Sequence, residues 1–454
     1  MRTPILTMLM AILAPAGVWA QVGNSGGSAS TAGIPFGSGQ APSLSYAGQA
    51  SSSNMFLSSL SSQATYDSNA TASSGAPTGD VIYSLGPQFA LVHTTGNFTA
   101  ALDYQPYFQF HQRLTSYDRV SQSVSGDLSY RVAPRLTFRF RESFMDQTGM
   151  YQPQPGTDFV PGLGAPTTLN TTVYPPLLSS RDNNTRLDAI YQKSSRTSLS
   201  VFGAYDRAYY NTSEATTAPV SDTQSVTSGA QYAYRLTEHF TLATLYLFQP
   251  MRFRGNLPAG SISNLTVQSA LITVGWRASQ TLMVSFFGGP QYQELRRMPG
   301  TNSVQVGSPT STGTPENDWS WAAGVTVSKQ SERTALELSV SRSISNGGAW
   351  LSAVMASVAS LGLHRNLWRR WDGSCGLTYA QNQYLGSTST PGKVNSETLS
   401  LSLGHSLSEK ATIRLSYNFI QQQGTSLPTE GANFGHNQVS LGVYYTLRKV
   451  PLGR

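Results

Sequence analysis

Alternation of apolar and small polar side chains over residues 397–419 (ETLSLSLGHSLSEKATIRLSYNF) constrains the fold of this chain most. Leu399, Leu401 and Leu403 alternate with Ser400 and Ser402, and TIRLSYNF repeats the rhythm after the polar turn SLSEKA. Because successive side chains of a strand point to opposite faces, each half has one apolar and one polar face. The pattern predicts a β-hairpin, and it recurs along most of the chain. A closed β-barrel in lipid needs such units, with an apolar exterior and no unpaired edge.

Composition narrows the class further. Charged residues make up 12% of the 454 residues, about half the usual share of a soluble chain, and aromatic residues make up 10%. The mean hydropathy of −0.23 is too polar for a helical membrane protein but fits a barrel, in which only alternate residues meet lipid. The formal net charge is +7, but no compact Lys/Arg cluster with interleaved aromatics is present, so we expect no nucleic-acid partner.

The N-terminal segments predict export. Residues 1–20 combine Arg2, a short apolar run and the ending Val18-Trp19-Ala20, which is typical of a secretory signal peptide. Residues 21–53 are rich in Gly, Ser, Ala and Pro and carry no charge, so we expect a flexible periplasmic arm or a segment that a partner or the barrel orders. Residues 54–450 are predicted to form the barrel.

The hairpin rhythm predicts an all-β fold, a closed antiparallel transmembrane barrel of about 18 strands, with 16 as the alternative. Long and short connections alternate along the chain, as expected for long outer loops and short periplasmic turns. The longest break, residues 148–180, contains six prolines. The sequence leaves open whether this loop folds inward and narrows the pore.

Charged residues on the polar faces of the strands predict the pore lining. Because a Lys or Arg facing lipid at mid-bilayer costs about 2–4 kcal/mol, charges that alternate with apolar residues should face the lumen. These candidates are Arg139, Arg141, Asp188, Glu337 and Arg414. Two roles are open for them, a selective pore lining or ion pairing that rigidifies the barrel.

Three motifs near the N-terminus of the barrel resemble a known family. They are YDSN at residues 66–69, DVIYSLGP at residues 80–87 and LDY at residues 102–104. Outer-membrane, porin-like barrels associated with exopolysaccharide and surface-protein export systems begin in a similar way. The resemblance implies an outer-membrane barrel without catalytic residues. The chain departs from such barrels by continuing past Tyr445 to VPLGR instead of ending on an aromatic residue.

Catalytic and metal-binding patterns are weak in this sequence. The six histidines show no metal-ligand spacing, and Cys375 is the only cysteine, so we expect no metal, no cofactor and no disulfide. The run SISNGG at residues 343–348 lacks an upstream histidine that could activate a serine, and His405-Ser406 places its two side chains on opposite faces. No enzyme is therefore expected.

The resulting hypothesis is a porin-like channel in the outer membrane of a Gram-negative envelope, for hydrophilic solutes or an exported polysaccharide. The alternative is a non-conducting structural or assembly barrel of a surface-polymer system. Expected partners are outer-membrane lipid, lipopolysaccharide, the barrel assembly machinery and envelope export components. The oligomeric state is not predicted.

Overall fold

A computed structural model describes most of the predicted barrel. It describes residues 54–71, 76–148, 172–173, 179–210, 220–255, 261–298, 316–348, 351–385, 392–425 and 433–451. The predicted signal peptide and the predicted arm lie outside the described residues. No helix in the described part of the chain is long and apolar enough to cross a membrane.

Almost every described residue belongs to a strand, because β-branched, aromatic and small polar residues alternate with period two. The strands are β1 (Met55–Asp67), β2 (Asp80–Thr94), β3 (Phe98–His111), β4 (Arg119–Ala133), β5 (Leu136–Thr148), β6 (Ser179–Gln192), β7 (Thr197–Tyr210), β8 (Ser221–Arg235), β9 (Phe240–Gly255), β10 (Ile262–Arg277), β11 (Leu282–Arg297), β12 (Glu316–Gln330), β13 (Thr334–Gly347), β14 (Leu351–Trp368), β15 (Trp371–Tyr384), β16 (Lys393–Ser406), β17 (Ala411–Thr425) and β18 (Phe434–Pro451). One 3-10 turn, Thr115–Tyr117, joins β3 to β4.

The sheet closes on itself. Each strand pairs antiparallel with its neighbours in sequence, and β1 also pairs with β18, which gives a closed barrel of 18 strands. At this seam Thr65 lies opposite Ser440, with their hydroxyl oxygens 3.0 Å apart. The predicted fold class and the larger of the two strand counts are confirmed. The first strand, β1, closes the barrel against the last strand, β18.

The two ends of the barrel differ, as the sequence predicts. At one end, the short-turn end, the strands are joined by two to four residues; at the other, the long-loop end, the connections run from three to thirty residues. One long-loop-end connection is short: β13 ends at Gly347 and β14 begins at Leu351. A Cβ at Gly347 would collide with Leu351, and Gly348 has φ of 70°, so this turn requires both glycines.

The faces of the wall follow the predicted alternation. On β2, Leu85, Phe89 and Leu91 are exposed on the exterior, whereas Ser84 and Gln88 between them are buried on the lumen side. Most other strands follow the same alternation, and Cys375 shares the exterior face with Leu377 and Tyr379. Strands of 13 to 18 residues at about 3.3 Å rise, tilted by about 40°, are long enough to carry an exterior apolar band about 25 Å tall.

Exterior charges mark the upper limit of the apolar band. Near the long-loop end Arg181 forms an ion pair with Asp146 at 3.1 Å, and Asn183 donates a hydrogen bond to Glu142 at 2.6 Å. On the same strands, the exterior positions nearer the short-turn end carry Phe138, Phe140, Leu187 and Tyr191. The band therefore lies closer to the short turns, and the strands continue beyond it at the long-loop end.

Two of the motifs that resemble the known family lie at the long-loop end of the barrel and connect its strands there. Asp80, the first residue of β2, accepts hydrogen bonds from the amides of Arg113 and Leu114 at 3.0 and 3.2 Å and lies 3.1 Å from Nδ1 of His111. These bonds tie the β3–β4 connection to the rim. A carboxylate is favoured here because it can satisfy several otherwise unpaired donors at once.

Asp67 does the same at the seam. Its carboxylate accepts a hydrogen bond from the amide of Asn69 at 2.9 Å and lies 2.9 Å from Nδ1 of buried His436. Asn69 donates in turn to the carbonyl of Gly435 at 3.1 Å. The first motif thus joins the start of the barrel to its last strand.

A lysine should destabilise the barrel more on the exterior face of a strand than on its lumen face. Leu401→Lys places an ammonium group on the exterior of β16, flanked by Cys375 and Tyr417. In lipid we expect a loss of about 2–4 kcal/mol in the free energy of unfolding. The matched control Ser400→Lys points to the lumen and should lose far less. Urea unfolding of barrels refolded into phospholipid vesicles measures both values; equal losses would contradict the assignment of faces.

Candidate functional site: a charged lumen wall and an inward-folded hairpin

The five predicted pore-lining residues all occupy lumen-side positions of their strands. On β5, for example, the exterior side chains Phe138 and Phe140 are 37% exposed and flank Arg139. The set comprises Arg139 and Arg141 on β5, Asp188 on β6, Glu337 on β13 and Arg414 on β17. Three of them are therefore close together on adjacent strands, and two lie elsewhere on the wall. Their role in lining a pore stays a prediction.

A buried group of charges sits on β5 and β6. The Arg141 guanidinium donates to Oδ2 of Asp188 at 3.0 Å, and the Arg186 guanidinium donates to Oδ1 of the same carboxylate at 2.7 Å. Arg186 also lies over the ring of Phe202, with 4.2 Å between its Cζ and the ring centroid. One carboxylate therefore holds two guanidinium groups against the wall, and an aromatic face supports one of them.

Two further guanidinium groups pair with a carboxylate on a nearby strand. Arg139 donates through Nε to Asp127 of β4 at 2.9 Å. On the other side of the barrel Arg414 donates to Asp372 of β15 at 3.0 Å and to Oγ of Ser402 at 3.0 Å. In each case the pair joins nearby strands within the wall and does not cross the lumen. Of the two roles open for these residues, ion pairing is what their geometry provides.

Glu337 differs from the other four. It lies opposite Ser328 of β12 and Gly362 of β14, and within the described residues it forms no ion pair. It is half-buried on the lumen side of β13. Glu337 is therefore the one predicted lining residue that has no ion-pair partner among the described residues.

Sequence reasoning missed the partners Asp127, Arg186 and Asp372. Their positions on the lumen side of strands that pair with, or are close to, strands carrying a predicted residue make them candidate partners. Only the register of the strands shows which of these side chains meet. Arg139 lies opposite Asp188 in the β5–β6 register, yet it bonds Asp127 on the other side, because long side chains reach diagonally across the pleat.

The long-loop end of the β13–β14 hairpin breaks the alternation of burial. We call residues 343–348 and 351–358 the hairpin tip. Residues 343–347 are all buried, and so are residues 351–356. A wall strand buries one face and exposes the other, so consecutive burial shows that both faces of the tip are covered.

The tip is covered because it folds into the lumen. Eighteen strands about 4.8 Å apart and tilted by about 40° enclose a barrel about 35 Å across. Strands β8 and β14 are six strands apart, which corresponds to about 30 Å in a circular barrel. Nevertheless β14 contacts both β8 and β10. The end of β14 has therefore left the circle of the wall.

One face of the tip packs against the lumen side of β9, β10 and β11. The tip contributes Ile344, Ala353 and Met355, which by alternation belong to the exterior face of β13 and β14. The facing side chains are Met251, Phe253, Ile262, Leu265, Val267 and Leu295. Ile344 is 2% exposed, so this contact excludes water. We call these six facing side chains the apolar lumen patch.

The opposite face of the tip is covered by other elements. Val354, Ala356 and Val358 join a second cluster with Val220, which precedes β8, and with Val173. Ala380 of β15 and Val394 of β16 complete this cluster from the neighbouring wall. The tip is thus held between two apolar clusters in the half of the lumen near the long-loop end.

Part of the longest connection reaches the same place. Thr172, from the connection between β5 and β6, accepts a hydrogen bond through Oγ1 from the side-chain amide of Asn382 at 3.0 Å, and its carbonyl accepts one from Ser396 at 2.6 Å. Asn382 and Ser396 lie on the lumen side of β15 and β16, opposite β6 in the barrel. Residues 172–173 therefore lie inside the barrel, which answers for them the question that the sequence left open.

The inward fold opens the wall between β12 and β13. Their register ends at Ala323 opposite Arg342, although β12 continues to Glu316 and β13 to Gly347. Within the described residues, positions 316–322 of β12 pair with β11 alone. The amide of Trp319 is satisfied by the carboxylate of Asp318 at 2.8 Å. A stretch of β12 is thus a strand edge inside an otherwise closed barrel.

The sequence contains a signal for this inward fold. Residues 351–360 read LSAVMASVAS, in which apolar side chains occupy both parities. Such a continuous run is typical of a strand that is buried on both faces. Within a chain of alternating strands this run predicts one more wall strand, because periodicity alone does not reveal what covers the second face.

The weak catalytic patterns form no site. Ser345 and Asn346 lie in the buried hairpin tip, and His405 is on the exterior, 4.3 Å from the ring of Trp371 between centroids. Among the described residues no group of three His, Cys, Asp or Glu side chains is placed to hold a metal ion.

Comparison with solved structures returns outer-membrane proteins. OpdK of Pseudomonas aeruginosa is 12% identical and is matched over 87% of this chain and 99% of its own, with a TM-score of 0.42. OccK2 of the same organism is 10% identical over 86% and 98%, with a TM-score of 0.44. OccAB4 of Acinetobacter baumannii is 9% identical over 88% and 98%, with a TM-score of 0.42.

No protein-family model and no curated protein sequence matches the chain. Identities and TM-scores this low assign no family, and the barrel architecture stands on its own strand pairing. None of these three proteins is named for exopolysaccharide export, so that part of the resemblance gains no support.

Removing the shared carboxylate tests the charged group. Asp188→Asn removes the negative charge that buried Arg141 and Arg186 share, and breaking a buried pair in this way costs about 3–5 kcal/mol. The matched control Asp146→Asn removes the partner of exposed Arg181 and should cost about 1 kcal/mol or less. Urea unfolding in vesicles gives both values. Equal small losses would show that the lumen charges are well solvated.

Proposed function

We propose that the chain is an outer-membrane barrel that forms a porin-like channel for hydrophilic solutes, with its lumen closed near the long-loop end by the hairpin tip. The observation that carries this proposal is the division of one wall into an apolar exterior and a lumen face that carries ion pairs and polar side chains beside its apolar clusters. Lipid requires the apolar exterior, and a polar interior is typical both of barrels with a water-filled channel and of barrels with a plugged lumen.

Several features support a conducting path. Main-chain hydrogen bonds close the wall except where β12 and β13 separate, and its circumference leaves room for water when nothing fills it. The ion pairs of Arg141, Asp188 and Arg414 lie along the wall, so they leave the axis of the barrel open. Charged side chains along such a path set which ions pass.

A second candidate function is a non-conducting barrel that supports a surface polymer. The specific observation in its favour is the filling of the upper lumen by the hairpin tip and residues 172–173. The resemblance to exopolysaccharide-associated barrels adds an exported polysaccharide as a second cargo for a conducting form. Envelope export components and the barrel assembly machinery would be partners in either case.

Single-channel conductance separates these functions. In a tip-deleted variant, residues 344–355 are replaced by an Asn-Gly turn that joins Ser343 to Ala356, which are opposite in the register. We expect small or intermittent currents from the wild type and steady currents from this variant, because the deletion removes the tip from the lumen. Each is measured in planar bilayers with and without residues 21–53, so that blocking by the predicted arm is detected.

Silence of the tip-deleted barrel, with and without residues 21–53, would contradict the channel and favour the non-conducting barrel. A folded barrel is verified in each case by its heat-modifiable mobility. If the currents are steady, a maltose-oligomer series added to the bath identifies a glycan cargo by concentration-dependent block, whereas salt current alone indicates small solutes.

Lipopolysaccharide is proposed as the lipid partner at the long-loop end. Above the apolar band, exterior residues of adjacent strands form a row with Arg207 of β7, Gln224 of β8, Arg252 of β9, Asn264 of β10 and Arg296 of β11 in successive register. Among the described residues, Arg207 and Arg252 form no ion pair, and both are exposed. Guanidinium groups with amide neighbours suit phosphate groups of a glycolipid.

Neutralising the row tests this partner. Arg207→Gln with Arg252→Gln should abolish most of the rise in unfolding temperature that added lipopolysaccharide gives the wild type, since two phosphate contacts are lost. The matched control, Arg235→Gln with Arg277→Gln, removes two arginines at the short-turn end and should keep the rise. The shift is measured by heat-modifiable mobility in phosphatidylcholine vesicles with and without lipopolysaccharide. An unchanged shift in the first variant would rule out the row as the binding surface.

A further inference from the structure

We propose that the hairpin tip is a gate with two positions, one in the lumen as described above and one in the wall, where it pairs with residues 316–322 of β12. This inference rests on the proposed channel and assigns its regulation. In the lumen position the tip blocks the path and leaves β12 with a free edge. In the wall position it would complete the sheet and clear the lumen.

The register defines the wall position. Ala323 lies opposite Arg342, and the antiparallel order continues by one residue at a time. The next partners would be Ala322 with Ser343, Trp321 with Ile344 and Ser320 with Ser345. Both strand segments are already extended, and residues 354–358 of β14 are paired with residues 380–384 of β15. The exchange therefore moves the ends of β13, β14 and β15 together and requires no change of secondary structure.

The alternation of the tip fits the wall as well as it fits the lumen. In the wall, Ser343 and Ser345 would continue the lumen-side series that Ser339 and Ser341 begin. Ile344 would join the exterior beside Trp321, which is 54% exposed, and Met355 would follow it because it lies opposite Ile344. The tip therefore carries the face pattern of a wall strand, although its exterior-type side chains now contact the apolar lumen patch.

Unsatisfied groups are found where β12 and β13 separate. The Nε of Arg342 is buried and, within the described residues, has no hydrogen-bond partner, and the same is true of Oγ of Ser320. The Arg342 guanidinium instead lies over Trp321, 4.8 Å from the ring centroid. Buried polar groups are normally satisfied, so this fork is a place where an alternative pairing gains hydrogen bonds.

The apolar lumen patch explains why the tip stays in the lumen position. Moving the tip into the wall would expose the apolar lumen patch to lumen water. Burial of this patch favours the lumen position, whereas the strand edge of β12 favours the wall position. A two-state element with opposing contributions of this kind responds to a solute that binds one position more tightly than the other.

A disulfide tests the wall position directly. In a Cys375→Ser background, S320C with S345C places two thiols opposite each other only if β12 and β13 pair above Ala323. The matched control, T326C with S339C, lies on a stretch that is already paired, on the same lumen side. Cross-strand neighbours have the Cα spacing that a disulfide needs. Disulfide formation is read by gel mobility and current in planar bilayers, before and after reduction.

We expect both pairs to form disulfides in vesicles, the control faster. Oxidised S320C with S345C should give steady current that reduction with dithiothreitol returns to the wild-type level, while the control keeps wild-type current in both states. A control disulfide without a disulfide in S320C with S345C would overturn the gate. So would a complete S320C–S345C disulfide with wild-type current.

The two hypotheses fail in different ways. If the tip-deleted barrel conducts and the cross-linked barrel does not, the gate is wrong and the channel stands. If the tip-deleted barrel is silent, the channel is wrong, and the gel still reports whether the tip reaches the wall. Heat-modifiable mobility of the reduced double variants excludes misfolding as the cause of either result.

Discussion

The whole structure depends on satisfying main-chain hydrogen bonds inside the sheet. A strand that crosses lipid has no water to complete its ladder, so a β-structure in a membrane must close on itself. The chain achieves this through the β1–β18 seam, where Thr65 meets Ser440 and Asp67 holds the last strand through His436. The exception to this closure is the separation of β12 from β13 on the long-loop side of Ala323. It lies beside the hairpin tip, which fills the lumen.

Two opposing free energies hold the hairpin tip. Pairing with β12 would add five ladder positions, each worth about 0.5–1.5 kcal/mol net, or about 3–7 kcal/mol together. Covering the apolar lumen patch keeps side chains such as Phe253 and Leu265 away from water, which favours the lumen position. These two contributions oppose each other, so a solute that binds one position a few kcal/mol more tightly than the other can shift the population.

Much of the fold follows from the sequence, because alternation, turn composition and loop lengths all act locally. They predict the strands, the closed barrel and the side of the wall on which Arg139, Asp188 and Arg414 lie. They do not predict that Asp188 holds two guanidinium groups, since this depends on the register of β5 against β6. Nor do they predict the inward tip, because the run LSAVMASVAS requires a second covering surface, and Leu265 and Val220 are distant in sequence.

Hydrogen exchange along β12 tests the central claim most directly, since it needs no substitution. In vesicles, backbone amides of residues 316–322 that face β13 should exchange quickly, whereas those of residues 323–330 should be strongly protected, and residues 343–347 should be protected by β14. This contrast within one strand would show that the wall is open where the tip has turned inward. Uniform protection of β12 from residue 316 to residue 330 would mean that the tip stands in the wall and would contradict the account.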